Sequence, residues 1–303
     1  MKLDINTNSR LTGSLLAVSA YVMWGFSPVY WKLLGHMPSV EVLAHRFIWS
    51  FVFMIVVLLV TRKMGSFWAE CRALCAQPKQ ALLVFLAAVV VAGNWYLFIW
   101  AVSVNQVLAV SLGYYINPLI SVMFGILLLR ERLSNWQLVA LALAVFGVLY
   151  MIISVGSVPW VALALAGTFA LYGLCKKLVG LSPAASITLE TMIITPAALW
   201  YLIPRHLASF YNGDPVTAGL LVGSGVVTAL PLLLFAAGVK QIPLYLVGFL
   251  QYIGPTIVFL LGVLLYNEPF GNEHLIAYLF IWAALLIISF LNLQILKEER
   301  VKA

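Results

Sequence analysis

The sequence predicts an all-α polytopic membrane protein with ten transmembrane helices, arranged as two inverted repeats of five helices each. The composition, ten long apolar runs and a motif that occurs once in each half predict this fold. Of the 303 residues, 64% are hydrophobic and 9% are charged, whereas soluble domains have roughly 45–50% and about 25%. This composition excludes a soluble globule, and with it a nucleic-acid-binding domain that would gather the net charge of +7 on one face.

The apolar runs are each near the length that crosses a bilayer, which is roughly 20 residues. They lie near residues 11–33, 41–61, 80–103, 107–129, 135–154, 158–176, 185–204, 216–239, 244–265 and 273–295. Connections such as 103–106 and 130–135 are short, so we expect consecutive helices to be antiparallel neighbours in one bundle. The first run continues to spanning length through Trp24 and Trp31, which predicts a retained helix and not a cleaved signal peptide.

The distribution of lysine and arginine predicts the orientation of the bundle. Of the 17 such residues, 14 lie on the side that holds both termini and every loop from an even to an odd helix. Lys32, Arg46 and Arg205 fall on the opposite side. Because positive charge in short loops stays in the cytoplasm, we expect both termini in the cytoplasm.

A motif repeats between residues 114–133, YYINPLISVMFGILLLRERL, and residues 251–270, QYIGPTIVFLLGVLLYNEPF. A constant offset of 137 aligns Tyr115 with Tyr252, Pro118 with Pro255, Gly125 with Gly262 and Glu131 with Glu268. Upstream, an offset of 145 aligns Lys32 with Lys177, Pro38 with Pro183 and His45 with Glu190. The chain therefore divides into repeats at 1–154 and 155–303, and an odd number of helices in each repeat requires that the second copy be inverted.

Inverted repeats are a recurring architecture of secondary transporters, which bind their substrate where the halves meet. Interrupted helices at matching positions mark that site. Here Pro118 in the fourth helix, and Gly254 with Pro255 in the ninth, are the predicted helix breaks. The alternative is a simple kink, since proline is frequent in membrane helices.

Four segments carry a resemblance to a known family: YINP…RER, YIGP…NEP, LAHRFIWS at 43–50 and TLET at 188–191. They resemble the drug/metabolite transporter superfamily and, within it, the EamA-type permeases, over essentially the whole chain. The resemblance implies a secondary active transporter that works by alternating access. It also implies export of small amphipathic metabolites or drugs such as chloramphenicol, or of amino acids and other metabolites.

Deep amide and aromatic side chains are the candidates for substrate binding. They are Asn94, Tyr115, Asn117, Gln251 and Tyr252. Such side chains offer apolar faces with polar tips, which suits an amphipathic solute. Other tryptophans and tyrosines are better explained by the aromatic belts at the membrane surfaces.

Three ionisable residues within apolar runs are candidates for gating or coupling, because charge in a membrane is costly and commonly functional. His45 can pair with Glu41 one turn earlier, and Arg46 either snorkels to the interface or contacts a gate or substrate. Glu190 either carries a proton coupled to transport or pairs with Lys176 or Lys177. A proton is therefore the candidate coupling ion.

Glu131 and Glu268 each end a helix, where a carboxylate opposes the helix dipole. A cap on the next helix, or a contact that closes a gate, would account for both residues.

The sequence predicts no metal and no cofactor. Cys71 and Cys75 could present two thiols on one helix face, but no histidine or further cysteine supports a metal site. The chain contains neither an HExxH pair nor a phosphate loop, so an enzyme is not expected. The expected partners are a small-molecule substrate and the lipid bilayer, without nucleic acid. A channel or a non-transporting membrane protein is the remaining alternative, and no oligomeric state is predicted.

Overall fold

The computed structural model describes residues 7–103, 107–155, 160–203, 215–265 and 272–302. Helices occupy most of these ranges. They are α1 (Thr7–Leu33), α2 (Ser39–Val60), α3 (Met64–Cys75), α4 (Pro78–Ser103), α5 (Val107–Leu127), α6 (Asn135–Val155), α7 (Trp160–Leu178), α8 (Pro183–Leu202), α9 (Pro215–Gln241), α10 (Leu244–Gln251), α11 (Ile253–Leu264) and α12 (Asn272–Lys302).

Eight helical segments among the described residues are long and apolar enough to cross a membrane. They are α2, α4, α6, α7, α8, α9, the segment Leu244–Leu261 and Leu275–Ile295 within α12. The other two predicted crossings coincide with α1, whose apolar run is interrupted by serine and glycine, and with α5, in which the apolar part is Gly113–Leu127. The chain is therefore a multi-pass membrane protein, and its ten crossings stay a prediction.

The helices pack in a defined set of pairs. Helix α2 packs against α8, α5 against α10, and α6 against α12. Helix α1 packs on α9 and α11, whereas α7 packs on α4 and α5; α9 and α4 also contact α2 and α8, respectively. The main apolar core lies along these contacts and includes Tyr21, Tyr172, Phe235 and Phe249.

Helix α3 was not predicted, because its sequence reads as a polar connection. It is a short helix that buries Phe67 against Leu58, Val84 and Val179. This packing places α3 beside the connection between α7 and α8.

The two predicted helix breaks differ in the structure. Helix α5 runs as one helix through Pro118, so no division of the helix accompanies this proline, and a functional break there stays a prediction. A single missing N–H does not divide a helix that α7 and α10 hold from both sides. In the second half, α10 ends at Gln251 and α11 begins at Ile253. This division lies close to Gly254 and four residues before Pro255, where the proline ring disfavours a helical carbonyl.

Candidate functional site

A small cavity lies between α2, α4, α8 and α9. Its lining is mainly apolar, and the centre of a water molecule can occupy a volume of about 10 Å³ inside it. The lining residues are Phe47, Ser50, Val91, Trp95, Ile187, Glu190, Thr191, Thr228 and Leu232. A volume of this size has room for about one water molecule.

Glu190 joins this cavity to a buried polar network between α7 and α8. Its Oε1 atom lies 2.7 Å from the Lys176 ammonium and accepts a hydrogen bond from Ser186 Oγ at 2.8 Å. Its Oε2 atom accepts from the Tyr172 hydroxyl at 3.1 Å, and Lys176 also donates to Ser186 Oγ at 2.6 Å. Ser186 and Glu190 face the same side of α8 because they are four residues apart. The predicted pairing with Lys176 is therefore present.

The two lysines that end α7 have different environments. Lys176 is fully buried, although the sequence analysis counted it among the positive charges of the cytoplasmic side. Lys177 instead donates to the carbonyl oxygens of Val239, at 2.8 Å, and Ile242, at the end of α9. The cation nearest to Glu190 is thus held inside the bundle, whereas its neighbour caps another helix.

Arg46 lies beside the cavity, behind two of its lining residues. The guanidinium contacts the indole rings of Trp31 and Trp95, with its central carbon 4.2 and 4.5 Å from the ring centroids. Its Nε donates to Thr228 Oγ1 at 3.0 Å. Trp95 and Thr228 both line the cavity, so Arg46 is held within the bundle next to that space. The adjacent His45 is buried on α2.

The asparagines predicted to bind substrate each donate hydrogen bonds to α7, and their role in substrate binding stays a prediction. The Asn94 amide donates to the Leu165 carbonyl at 2.9 Å and to Thr168 Oγ1 at 2.7 Å, both on α7. The Asn117 amide donates to the Ala166 carbonyl at 2.7 Å. Neither residue is among those that line the cavity.

The remaining substrate candidates are buried where α5 meets α10 and α11. The Tyr252 hydroxyl donates to the Tyr115 carbonyl at 3.3 Å, so these repeat-related residues are in direct contact. The Tyr115 ring packs edge-on against Tyr278, with 5.4 Å between centroids, and Gln251 is also buried. These three candidates do not line the cavity either.

Glu131 caps a helix that is distant in sequence. Its carboxylate accepts hydrogen bonds from the backbone N–H groups of Leu244, at 2.7 Å, and Tyr245, at 2.8 Å. Arg130, with φ of 55°, turns the chain at the end of α5 so that Glu131 reaches the start of α10. The negative carboxylate suits the positive end of the α10 dipole. Glu268, its predicted counterpart, lies outside the described residues.

Among the residues that the structure describes, no group of three histidine, cysteine, aspartate or glutamate side chains is placed to hold a metal ion. Cys71 and Cys75 lie on α3, the former half-buried and the latter exposed. Partial burial, together with the neighbouring Cys75 and Glu70, raises the pKa of the Cys71 thiol.

Sequence reasoning missed most of the cavity lining, in particular Phe47, Ser50, Val91 and Thr228. Three of these are ordinary residues of apolar helices, and serine in such a helix commonly bonds its own backbone. A usable signal existed in the repeat, because the offset of 137 also aligns Val91 with Thr228. Extending the alignment into the third and eighth predicted helices would have found this pair.

An apolar helix bundle with buried charges around a small internal space is typical of membrane transporters. The sequence model of the EamA-like transporter family matches residues 11–153. The uncharacterized transporter YojE of Bacillus subtilis is 48% identical over 279 residues, which are 92% of this chain and 93% of that protein. Protein RarD of Escherichia coli is 41% identical over 278 residues, covering 91% and 93%.

The chain therefore belongs to the EamA-like transporter family of the drug/metabolite transporter superfamily. A more distant relative, the chloramphenicol-sensitive protein RarD of Pseudomonas aeruginosa, is 30% identical over 290 residues, which are 95% of this chain and 96% of that protein. A solved crystal structure with 18% sequence identity superposes with a TM-score of 0.68, over 92% of this chain and 98% of the other. That similarity concerns the fold alone.

Proposed function

We propose that this protein is a secondary active permease that exports small amphipathic solutes by alternating access. Ten crossings form two inverted halves, residues 1–154 and 155–303, in the bacterial inner membrane with both termini in the cytoplasm. The family match over residues 11–153 supports the first of these halves. The name of the Pseudomonas relative, a chloramphenicol-sensitive protein, makes chloramphenicol the first solute to test.

The observation that carries the proposal is the location of the cavity. The offset of 137 aligns Val91 with Thr228 and Trp95 with Leu232, and all four line it. The lining therefore comes from α4 and α9, a matched pair of the two halves, together with α2 and α8, which form another. Secondary transporters with inverted repeats bind their substrates at such an interface.

The helix contacts support the inverted repeat. If α1 is exchanged with α7, α2 with α8, α4 with α9, α5 with α10 and α11, and α6 with α12, the principal contacts map onto one another. Under this exchange, the contact between α1 and α9 corresponds to the contact between α7 and α4, and the contact between α2 and α8 corresponds to itself. All three pairs of helices pack together in the structure. This is the contact pattern expected of two copies around a pseudo-two-fold axis.

Alternating access requires the helices around the cavity to move. The cavity holds about one water molecule, so a drug-sized solute requires the surrounding helices to separate. At the proposed outer end, His36 Nε2 lies 3.3 Å from Thr217 Oγ1. At the cytoplasmic end, the Gln80 side chain accepts from the Gly180 N–H at 2.7 Å. Alternating access would release these contacts between the halves one end at a time.

A transport assay tests the permease. Purified protein in liposomes should exchange labelled chloramphenicol against unlabelled solute, and Val91→Phe, which fills the cavity, should abolish exchange. Val89→Phe is the matched control, because Val89 lies on the same helix and is 45% exposed. Both variants should elute as single species in detergent. Equal exchange by Val91→Phe and wild type would remove the cavity from the pathway, and a similar test with labelled amino acids covers the other solute class.

The membrane orientation has its own test. In a chain with Cys71→Ser and Cys175→Ser, Cys75 remains exposed on α3. An impermeant maleimide should label Cys75 only after intact cells are opened, whereas Asn272→Cys at the start of α12 should react from outside. Labelling of both positions from the same face would contradict the inverted repeat.

Proton coupling is the proposed role of Glu190, which contacts the cavity and Lys176. Exchange of a proton between this carboxylate and the cavity would break and reform the pair as the halves move. Solute flux driven by a pH gradient should therefore be lost in Glu190→Gln while counterflow without a gradient persists. Unchanged proton dependence in this variant would exclude Glu190 from coupling.

A further inference from the structure

The guanidinium of Arg46 has unused hydrogen-bonding capacity. An arginine side chain carries five N–H donors, and in this structure Nε donates to Thr228 Oγ1. In the described parts of the chain, Lys176 forms an ion pair with Glu190. No carboxylate among these residues forms an ion pair with Arg46. The terminal nitrogens donate no hydrogen bond to those residues, and Tyr114 interacts with the guanidinium only electrostatically. A cation within a membrane protein is costly unless a partner or water meets it.

The surroundings of Arg46 restrict how a partner can approach. The rings of Trp31 and Trp95 both contact the guanidinium, with their centroids 4.2 and 4.5 Å from its central carbon. Thr228 accepts the hydrogen bond of Nε. The two terminal nitrogens form the edge that is left for a ligand. A planar carboxylate fits this edge because its two oxygens accept a pair of parallel N–H bonds.

The cavity supplies a place for the rest of such a ligand. Trp95 and Thr228, which hold Arg46, also line the cavity, so the charged group and the apolar space are adjacent. Phe47 lines it too, and its ring packs on Trp95 with 5.3 Å between centroids. Glu190, which also lines the cavity, forms an ion pair with Lys176. Among the described residues around this cavity, the charged group that lacks an oppositely charged partner is therefore the cation Arg46.

We propose that the solute carries a carboxylate, which binds the terminal nitrogens of Arg46 while its apolar or aromatic part occupies the cavity beside Phe47 and Trp95. This inference rests on the proposed permease function and narrows its substrate class from amphipathic solutes in general to amphipathic organic acids. Neutral solutes of the same shape bind the cavity without the arginine contact.

The test compares an acid with its neutral isostere. The purified protein in dodecyl maltoside is titrated with 3-phenylpropanoate and with 3-phenylpropanamide, and binding is followed by tryptophan fluorescence. Wild type should bind the acid at least about tenfold more tightly, as expected for hydrogen bonds between charged groups. Arg46→Gln and Arg46→Lys should both lose this preference, since lysine keeps the charge but cannot present the planar fork. Arg132→Gln, at the other end of the bundle, should keep it.

A second variant keeps the test decisive if Arg46 substitutions fail to fold. Thr228→Val removes the acceptor that positions the guanidinium but leaves the charge, and it should reduce the acid preference by a smaller factor. An equal affinity of wild type for acid and amide overturns the proposal, as does an acid preference that survives Arg46→Gln. Acid binding that glycerol phosphate abolishes at equal concentration would assign the site to a lipid phosphate and also overturn it.

Counterflow separates this inference from the proposed function. If liposomes exchange chloramphenicol or the amide but the acid neither binds better nor exchanges, the permease stands and the carboxylate proposal fails. If no solute exchanges, both fail. Exchange of the acid by wild type, with loss in Arg46→Lys, supports both.

Discussion

The buried pair of Lys176 and Glu190 makes a quantitative prediction about stability. Lys176→Met would leave the Glu190 carboxylate buried, with only the hydroxyls of Tyr172 and Ser186 as donors. The two paired side chains are 0% and 4% exposed, so solvent cannot replace the lost partner. Removal of one member of a buried ion pair costs about 3–5 kcal/mol of unfolding free energy. We expect Lys176→Met and Glu190→Leu each to cost an amount of this order.

The double variant should cost far less than the sum of the two single variants. With both charges gone, no ion remains buried, and the residual cost is the loss of partners for the two hydroxyls, about 1–3 kcal/mol each. The measured coupling between the positions should therefore be at least about 2 kcal/mol, within the range seen for residues in contact. Reversible unfolding in mixed micelles, followed by far-UV circular dichroism, measures the unfolding free energy of the wild type, the two single variants and the double variant, which together form a double-mutant cycle.

Lys177 provides the matched control for this cycle. It neighbours Lys176 in sequence but bonds the backbone of α9. Lys177→Met combined with Glu190→Leu should be additive to about 0.5 kcal/mol. Additivity of the Lys176 and Glu190 changes, or a coupling as large for Lys177, would refute the assignment of a buried ion pair.

Further predictions concern close packing, helix capping and thiol chemistry. Gly225→Ala should destabilise the protein by about 1–3 kcal/mol, because its Cβ would collide with the Trp49 backbone of α2. Gly219→Ala on the same helix meets nothing within 4 Å and should stabilise by about 0.5–1 kcal/mol in the same unfolding assay. Glu131→Gln should lower the melting temperature less than Glu131→Ala, since the amide oxygen still accepts one bond from the start of α10. Because the pKa of Cys71 is raised, the ratio of its maleimide labelling rate in the folded protein to that in the unfolded chain should be lowest near neutral pH and should rise with pH. Equal labelling rates in the two states at neutral pH would contradict this prediction.

The sequence could predict the type of the fold and the existence of certain contacts, but not the positions of their partners. The isolation of Glu190 in an apolar helix, close to two lysines, left a proton carrier and an ion pair with Lys176 or Lys177 as alternatives, and the structure shows the pair with Lys176. For Glu131 the sequence left a helix cap and a gate contact open. The structure shows a cap, on α10 and not on the next helix, because α5 packs across the bundle and helix periodicity carries no information on that distance.

The substrate candidates show a different limit. Asn94 and Asn117 were selected because a polar amide in a membrane needs a partner. Both amides donate to carbonyls of α7, and the sequence could not predict these partners because it does not show which helices are neighbours. Val91 and Thr228 raised no such question, since neither is costly in a membrane, although they line the cavity.

The charges around the cavity have a consequence for the origin of the chain. In the repeat, Arg46 corresponds to Thr191, and Glu190 corresponds to His45. Two identical ancestral subunits on a two-fold axis would have presented each group twice, and a bound molecule would have met the same surroundings whichever way it faced. On the proposed repeat, fusion of two copies into one polypeptide would let them diverge, so that the cation Arg46 comes from one copy and the anion Glu190 from the other at the same cavity. A molecule with unlike ends can now be held in a single orientation, which no pair of identical chains could impose.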